Sequence, residues 1–465
     1  MTLSAAAVAR RGALAPYAMS ARSAVRFLLY AAVALAVARA GTDTANVATA
    51  AFAAHAIVVH HALTITFGPQ TAAAGSLDGG LGWLGALFLT AAATTPLELS
   101  LATVAVVVTM LALVEMRARR LSDGTLGIGA AALVALCSSD ALHAAGPLAA
   151  PLFVAALLVL LERPTLRRAL AVTALTALWC NLSASGLLGG MFAVTVALGV
   201  TFDRASREHR RARWLAALGA CGATLATPAG VHYPALAFAA LRIGGTLGDV
   251  VRVAPGISAP IGYNYGFMLV LILSLALGLR SLRWEGALPS LLALYLGLAN
   301  GAELPVLGVV VAPLLAAAAF RVRALAPPQV TLVLVLLAAL GTNVAARRTS
   351  ADGDAAALAV RAVRAPAVHR IFCAQPRSCA FAVAAGGRVL IDDRVERAPR
   401  SVRDAQLALA KGRPGWRTVA DRYRIDAILT GRDSTLASLL RLTPRWRVLA
   451  VRGDAMLFAR RNVHQ

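Results

Sequence analysis

Charged residues are scarce in this 465-residue sequence: they make up 14% of it, whereas hydrophobic residues make up 59%. Soluble globular proteins contain about 25% charged residues, so this composition excludes that class. The mean hydropathy of +0.71 agrees with a chain that lies largely in lipid. The sequence therefore predicts a multi-pass helical membrane protein, with the lipid bilayer as its first partner.

Several chemical signatures are also missing. The sequence has no CxxC pair, no phosphate-cradling glycine loop and no Ser-His-Asp elbow, so it offers none of the common motifs for metal, nucleotide or acyl-transfer chemistry. The net charge of +23 arises from 45 basic and 22 acidic residues. Because the arginines lie in short clusters between apolar runs, where they set membrane topology, we expect no nucleic-acid binding.

The chain divides near Arg347 into two parts of different composition. Residues 1–346 contain long apolar segments, and residues 347–465 have the composition of a soluble domain. We expect about 12 or 13 transmembrane helices in the first part, several of them shorter than the ~20 residues of a straight span. The predicted spans are 24–40, 81–94, 100–115, 124–138, 146–161, 169–182, 186–201, 214–227, 265–279, 286–299, 304–320 and 329–345.

Basic clusters orient these spans, and the positive-inside rule places all of them in the cytoplasm. The clusters lie at residues 10–11, 116–120, 162–168, 203–213, 280–284 and 321–323. With a cytoplasmic N-terminus, this pattern requires residues 47–67 to cross as well. It then places the C-terminal domain outside the cytoplasmic (inner) membrane of a bacterium.

Two alternatives stay open near the N-terminus. Residues 47–67 instead lie flat in the outer interface if His55, His60 and His61 are too costly at the bilayer centre. The spacing of these histidines does not put them on one helix face, so we expect no metal site there. The first span also has the pattern of a signal peptide with an A-x-A site ending at Ala40.

The apolar stretch ALWCNLSASGLLGGMFAVTVALG contains a polar turn with Asn181, Ser183 and Ser185. This turn joins the end of one predicted span to the start of the next. In one interpretation the polar side chains cap the two helix ends, and the glycines let the helices approach closely. In the other, the turn is part of a functional site.

The same stretch resembles the Trp-x-Asn-Leu-His-Gly-Gly element of bacterial polytopic proteins with the architecture of the GT-C glycosyltransferase superfamily. Trp179, Asn181 and Leu182 match, and Ser-Ala-Ser replaces His-Gly-Gly. ATLATPAGVHYP is similar to the group's Leu-Asn-Pro-Tyr-Gly element through Pro228 and Gly230. AELPVLGVVVAPLLA is similar to a late element that normally carries an arginine before its proline, but here the arginine is absent. The tail resembles the outside α/β domain that ends many of these chains.

The resemblance implies an all-α polytopic membrane protein with a GT-C-like fold and a small extracytoplasmic α/β domain. It also implies a glycosyltransferase that moves a hexosyl or pentosyl group from a polyprenyl-phosphate donor to an envelope acceptor. Loss of the motif histidine and of the late arginine leaves a second class open. In that class the chain is an inert relative that acts as a transporter or as a partner of other envelope-assembly proteins.

Three acids predicted at the outer face are candidates for this chemistry, which needs a base or a metal ligand for the acceptor hydroxyl. The resemblance implies catalytic roles for Asp43, which follows the first span, and for Asp140, which lies between two spans. Helix capping is the alternative for both. Asp249 lies in the longest outer loop and is a substrate-binding candidate. A divalent metal ion stays open as a cofactor.

Phosphate binding is assigned to Arg242 and Arg252 of the same loop, because a guanidinium matches two phosphate oxygens and stays charged at an interface. The alternative is that both arginines face anionic lipid headgroups. Asn181 is assigned to orient the sugar or the acid, because an amide neither takes nor gives a proton near neutral pH.

The tail is predicted to be a small α/β domain. RVLID and DAILT are typical of buried strands, SVRDAQLALAKG and STLASLLRLT of helices, and WRVLAVRGDAMLFAR of a hairpin that turns at Gly453 and Asp454. Cys373 and Cys379 flank a proline-containing turn, and we expect a disulfide between them in an oxidising compartment. Asp392, at the end of a predicted strand, belongs either to a site or to a salt-bridged turn.

Overall fold

A computed structural model describes most of the chain. The described residues are 22–38, 71–72, 83–85, 87, 96–122, 124–139, 141, 145–163, 165–205, 207–241, 266–276, 283–299, 303–322, 327–365, 368–392 and 398–461. The helices of the membrane part are α1 (22–38), α2 (Pro96–Leu121), α3 (Gly124–Cys137), α4 (Ala145–Leu161), α5 (Leu166–Leu182), α6 (Leu187–Phe202), α7 (Arg207–Ala223), α8 (Tyr233–Ala240), α9 (Met268–Ala276), α10 (Trp284–Ala299), α11 (Leu304–Val322) and α12 (Pro327–Val363).

Several of these helices have the composition of membrane spans. Within the described part, Leu97–Leu121 and Ala184–Phe202 are long and apolar enough to cross a bilayer, and four further apolar helices are shorter. The helices pack around one large core that includes Met110, Trp179 and Phe192. Leucines also project outward from the bundle, as at Leu170, which is 63% exposed. Apolar side chains on both the inner and the outer faces are expected of helices that lie in lipid.

Described residues of four basic clusters, at 117–120, 162, 203–213 and 283–284, gather at one end of the bundle, which we call the basic end. Arg120 donates to Glu162 at 2.6 Å and joins α2 to α4, while Arg213 donates to Glu285 at 2.6 Å and joins α7 to α10. Asp203 accepts the first two amide N–H groups of α10 at 2.9 Å each, which caps that helix. These clusters are far apart in the sequence but lie together at the basic end of the bundle.

One detail of the predicted topology is wrong at this end. The basic stretch 203–213 was expected to be a loop, but α7 begins at Arg207, so the stretch is largely helical. The first turn of α7 contains Glu208, whose negative charge is favourable at a helix N-terminus. Of the arginines that follow, Arg210 and Arg211 are exposed, whereas Arg213 is buried and paired with Glu285.

Helix α12 connects the bundle to the C-terminal domain. It starts at the basic end, where Thr331 donates to the carbonyl of Thr125 at the start of α3. With 37 residues it is about 55 Å long, well beyond the ~30 Å hydrocarbon core. Its last turns bury Leu358 and Ala359 in the core of the C-terminal domain. The domain therefore lies at the opposite end of the bundle, which we call the domain end, and residue 347 falls inside a continuous helix.

The C-terminal domain is a four-stranded mixed sheet with helices. Its elements are β1 (Ile371–Cys373), α13 (Pro376–Ala384), α14 (Arg400–Ala410), α15 (Trp416–Arg422), β2 (Ala427–Gly431), α16 (Thr435–Arg441), β3 (Trp446–Arg452) and β4 (Ala455–Arg460). The strand order is β1-β2-β4-β3, with β1 parallel to β2 and the other pairs antiparallel. The predicted strand DAILT, both predicted helices and the hairpin at Gly453 and Asp454 are confirmed.

The predicted strand RVLID is wrong. Only Val389 pairs, in a single bridge to Ile371 at the edge of the sheet. The strand is instead Ile371–Cys373, which lies between Val389 and β2. A buried apolar run does not reveal whether its backbone pairs with one neighbouring strand or with two. This stretch pairs with one strand, and only through Val389. In the structure Cys373, at the end of β1, is bonded to Cys379 in α13, with the two Cα atoms 5.7 Å apart.

Candidate functional site at the domain end

The polar turn lies at the domain end, between the end of α5 and the start of α6. The side chain of Asn181 makes three hydrogen bonds: Trp83 Nε1 donates to its Oδ1 at 2.7 Å, and its Nδ2 donates to the carbonyls of Ala177 and Ala226 at 2.8 Å each. Both N–H groups of the amide are therefore used, and one acceptor lone pair is left. Asn181 ties α5 to two distant segments of the chain.

The serines of the turn are also engaged. Trp179 Nε1 donates to Ser185 Oγ at 2.9 Å, and Ser183 Oγ lies 3.0 Å from the same oxygen and accepts the Ser185 N–H. The hydroxyl of Tyr233 donates to the carbonyls of Ser183 and Ala184 at 3.1 and 3.2 Å. This is the capping arrangement expected in the first interpretation of the turn, and it satisfies the polar groups within the protein.

Glycines make the close approach of α5 and α6 possible. A Cβ atom on Gly186 would lie 2.4 Å from Cα of Cys180, and one on Gly189 would lie 2.8 Å from the side chain of Thr176. Next to them the ring of Trp179 stacks on Phe153 with centroids 5.2 Å apart. The turn is therefore tightly packed, and any larger side chain at these glycines would separate the two helices.

A second group of polar side chains at the domain end has no such partners. Among the described residues, Ser138 Oγ, Ser139 Oγ and Glu303 Oε2 are buried without a hydrogen-bond partner. Leaving a buried polar group unpaired costs about 1–3 kcal/mol, and native proteins retain few such groups, often at functional sites. We call these three residues the orphan cluster.

Packing brings the segments of the orphan cluster to the same end of the bundle. Cys137, just before Ser138, lies against α11, where a Cβ atom on Gly308 would be 3.1 Å from Cys137 Cβ. A Cβ atom on Gly266, just before α9, would be 2.8 Å from Cys137 Cα. The end of α3, the approach to α9 and the start of α11 therefore converge here. Asp140 follows Ser139 directly in the sequence, and Asp249 precedes Gly266 by 17 residues.

Glu303 is the acid of the orphan cluster and was missed in the sequence analysis. It lies just before the apolar helix Leu304–Phe320, and its side chain is buried. This burial raises the pKa of Glu303 to about 7, because a charged carboxylate is poorly stabilised away from water. The sequence AELP could have indicated this residue, because Glu303 stands two residues before Pro305. The late GT-C element that this stretch resembles normally carries an arginine shortly before its proline.

Most of the predicted site residues lie outside the described residues, namely Asp43, Asp140, Arg242, Asp249 and Arg252. The same holds for residues 47–67 with their three histidines. Asn181 is described, and its hydrogen bonds run to Trp83, Ala177 and Ala226 and not to the orphan cluster. Asp392 is buried in the C-terminal domain. Within the described ranges no group of three His, Cys, Asp or Glu residues could hold a metal ion.

Comparison with known proteins identifies the fold. No protein-family model matches the chain, and no curated protein matches it in sequence. Two solved structures of ArnT from Cupriavidus metallidurans, one bound to undecaprenyl phosphate and one in the apo state, match over 96% of this chain and 98% of theirs. Each has a TM-score of 0.51 at 12% sequence identity. The predicted fold class is therefore confirmed: this chain has an ArnT-like integral membrane fold of apolar helices, with a small mixed sheet in its C-terminal region.

Proposed function

We propose that the protein is a membrane glycosyltransferase that takes a sugar from a polyprenyl-phosphate carrier and works at the domain end. The observation that carries this proposal is the match, over nearly the whole chain, to a protein solved with undecaprenyl phosphate. The orphan cluster supports it, because buried polar atoms without partners at the end of a membrane bundle are suited to bind a polar substrate.

The reaction assigns a role to each candidate residue. The acceptor oxygen bonds to the anomeric carbon of the sugar, the bond from that carbon to the carrier phosphate breaks, and the acceptor proton passes to a base. Asp43, Asp140 and Glu303 are the candidate bases, and Arg242 and Arg252 stabilise the departing phosphate. Asp249 and the free lone pair of Asn181 Oδ1 are left to bind hydroxyl groups of the sugar.

A variant of Asp43 tests this assignment. If Asp43 activates the acceptor, Asp43→Asn should lower transfer of a radiolabelled sugar from undecaprenyl phosphate by at least about 100-fold. Asp404→Asn is the matched control, because Asp404 is an exposed acid of the C-terminal domain. Unchanged turnover in Asp43→Asn would remove this residue from the mechanism.

An inert GT-C-like relative, acting in transport or assembly, is the second candidate. The observation in its favour is that the Asn181 turn uses its polar groups for internal hydrogen bonds. A transfer assay distinguishes the two candidates. An active transferase removes the sugar from a polyprenyl-phosphate carrier, whereas an inert relative leaves every such carrier intact.

The proposed site requires the domain end to lie outside the cytoplasmic membrane. The basic end carries the arginine clusters, which remain on the cytoplasmic side during insertion, and the Cys373–Cys379 bond suits an oxidising compartment. Alkaline phosphatase fused after Gln465 should therefore be active in a bacterial host, and a fusion near Arg207 should be inactive. The reverse pattern would overturn the orientation.

A further inference from the structure

A cavity of about 530 Å³ lies between α2, α4, α6, α10 and α11, with its charged residues at the basic end. Its volume falls in the range of small-molecule sites, roughly 300–1,000 Å³. Charged residues line it near the helix ends, among them Arg117 and Arg283. Apolar residues such as Val196, Val310 and Leu314 line it further into the bundle. The cavity therefore has a polar mouth and an apolar interior.

Arg117 is a buried cation of this cavity with unsatisfied donors among the described residues. Its side chain is 13% exposed, and its Nε and Nη1 have no hydrogen-bond partner among the described residues. Glu162 Oε1 lies 3.5 Å from Nε, which is too far for a hydrogen bond, and the other oxygen of Glu162 is bound by Arg120. A desolvated guanidinium is normally stabilised by several hydrogen bonds, so Arg117 has donors suited to an anion in the cavity.

The charges around the cavity do not cancel. The charged side chains that line it or contact its lining are Arg117, Arg120, Arg213, Arg283, Glu162, Glu285 and Asp203. Among the described residues, four arginines against three acids leave one positive charge. Arg283 is exposed at the start of α10, and its side chain makes no polar contact within the described part. A phosphodiester carries one negative charge and offers the oxygens that guanidinium groups bind best.

We propose that this cavity binds the phosphodiester headgroup of an anionic phospholipid from the adjoining leaflet. The phosphate contacts Arg117 and Arg283 at the mouth, and the start of an acyl chain lies along Val196, Val310 and Leu314. An amphiphile suits both parts of the cavity, whereas a free phosphate would satisfy the arginines and leave the apolar interior empty. The site does not depend on the proposed transferase activity, because it lies at the other end of the bundle.

Native mass spectrometry of the full-length protein, titrated in detergent with phosphatidylglycerol, tests the proposal. We expect one tightly bound lipid in the parent and about tenfold weaker binding in Arg283→Gln and in Arg117→Gln, because each loses a charge-assisted hydrogen bond. Arg283 is exposed, so its variant should fold even if the Arg117 variant does not. Arg167→Gln is the matched control: it removes an exposed arginine at the same end that does not line the cavity.

The outcomes are distinct. Equal affinity in the parent, Arg283→Gln and Arg167→Gln overturns the site. Inorganic phosphate, titrated against delipidated protein, separates the two sources of the same chemistry. If phosphate binds at least about 100-fold more weakly than the lipid, the apolar wall contributes and the lipid is the occupant. If phosphate binds as tightly as the lipid and Arg283→Gln weakens both equally, a free phosphate replaces the lipid as the occupant and the lipid proposal fails.

Discussion

The Gly186→Ala variant is expected to lose its native bundle at temperatures where the parent is stable. A Cβ atom at this position would lie 2.4 Å from Cα and 2.5 Å from the backbone nitrogen of Cys180. Real Cβ atoms essentially never approach another heavy atom closer than 3.0 Å, so the backbone would have to move. Both atoms belong to the backbone of α5, so no change of rotamer relieves the overlap. The start of α6 must move away from α5, at a cost of about 3 kcal/mol or more.

The backbone conformation does not contribute to this effect, because φ of Gly186 is −56°, which alanine adopts freely. Gly222→Ala is the matched control. Residue 222 lies in α7, and no heavy atom lies within 4 Å of a Cβ atom built there. Alanine inside a helix is favoured over glycine by about 1 kcal/mol. Thermal melts in detergent should show a large fall in Tm for Gly186→Ala and an equal or higher Tm for Gly222→Ala.

A Gly186→Ala variant that melts with the parent would contradict the packing of the polar turn. The result also bears on the choice between the two interpretations of Asn181. Movement of α6 would separate Ser185 from Trp179, whose hydrogen bond holds the turn closed. If transfer activity falls in that variant only in proportion to the folded fraction, the turn supports the fold and does not touch the substrate.

The helices of the bundle are predictable from the sequence because lipid demands continuous apolar runs and internal hydrogen bonds. The spans predicted at 124–138 and 169–182 correspond to α3 and α5 within a few residues. The prediction for α12 ended at 345, but the helix continues to Val363. Beyond residue 345 this helix carries several charged residues and buries a few apolar ones, among them Leu358 and Ala359, in the domain. The continuous apolar run that marks a span is therefore lost while the helix goes on.

The candidate site was only partly predictable, because its properties arise from contacts between distant segments. The partners of Asn181 at Trp83 and Ala226 are 98 and 45 residues away in sequence, so the sequence alone left capping and function as alternatives. Glu303 was missed for a related reason. An acid beside a predicted span is usually solvated, and its burial follows from the packing of the start of α11 in the bundle.

Replacing Glu303 by glutamine is expected to slow sugar transfer by roughly 10²–10⁴-fold if this carboxyl is the base that takes the acceptor proton. Only the ionised carboxylate accepts that proton. With the pKa of Glu303 raised to about 7, the rate of the parent should rise with pH and level off above 7. The pH–rate profile of Glu303→Gln should lack this rise. Glu208→Gln is the control, because Glu208 is an exposed acid at the basic end.

The stability of the same variant separates catalysis from structure. The pKa of Glu303 is higher in the folded protein than the ordinary 4.5, so the folded state binds the proton more tightly than the unfolded state. The stability that protonated Glu303 contributes is complete below pH 4.5 and is lost as pH rises through 7, a change of roughly 3 kcal/mol. Glutamine stays neutral, so Glu303→Gln should melt with the parent at pH 4.5 and above it at pH 8.

These two measurements give opposite signs for a catalytic residue: activity is lost while stability at pH 8 is gained. A variant that loses both would show that the Glu303 carboxylate stabilises the domain end through contacts of its own. If the variant keeps the rate and the pH–rate profile of the parent, Glu303 is not the base, and Asp43 and Asp140 remain the candidates. The orphan cluster predicts the first outcome, because Glu303 Oε2 has no hydrogen-bond partner among the described residues and is available to the substrate.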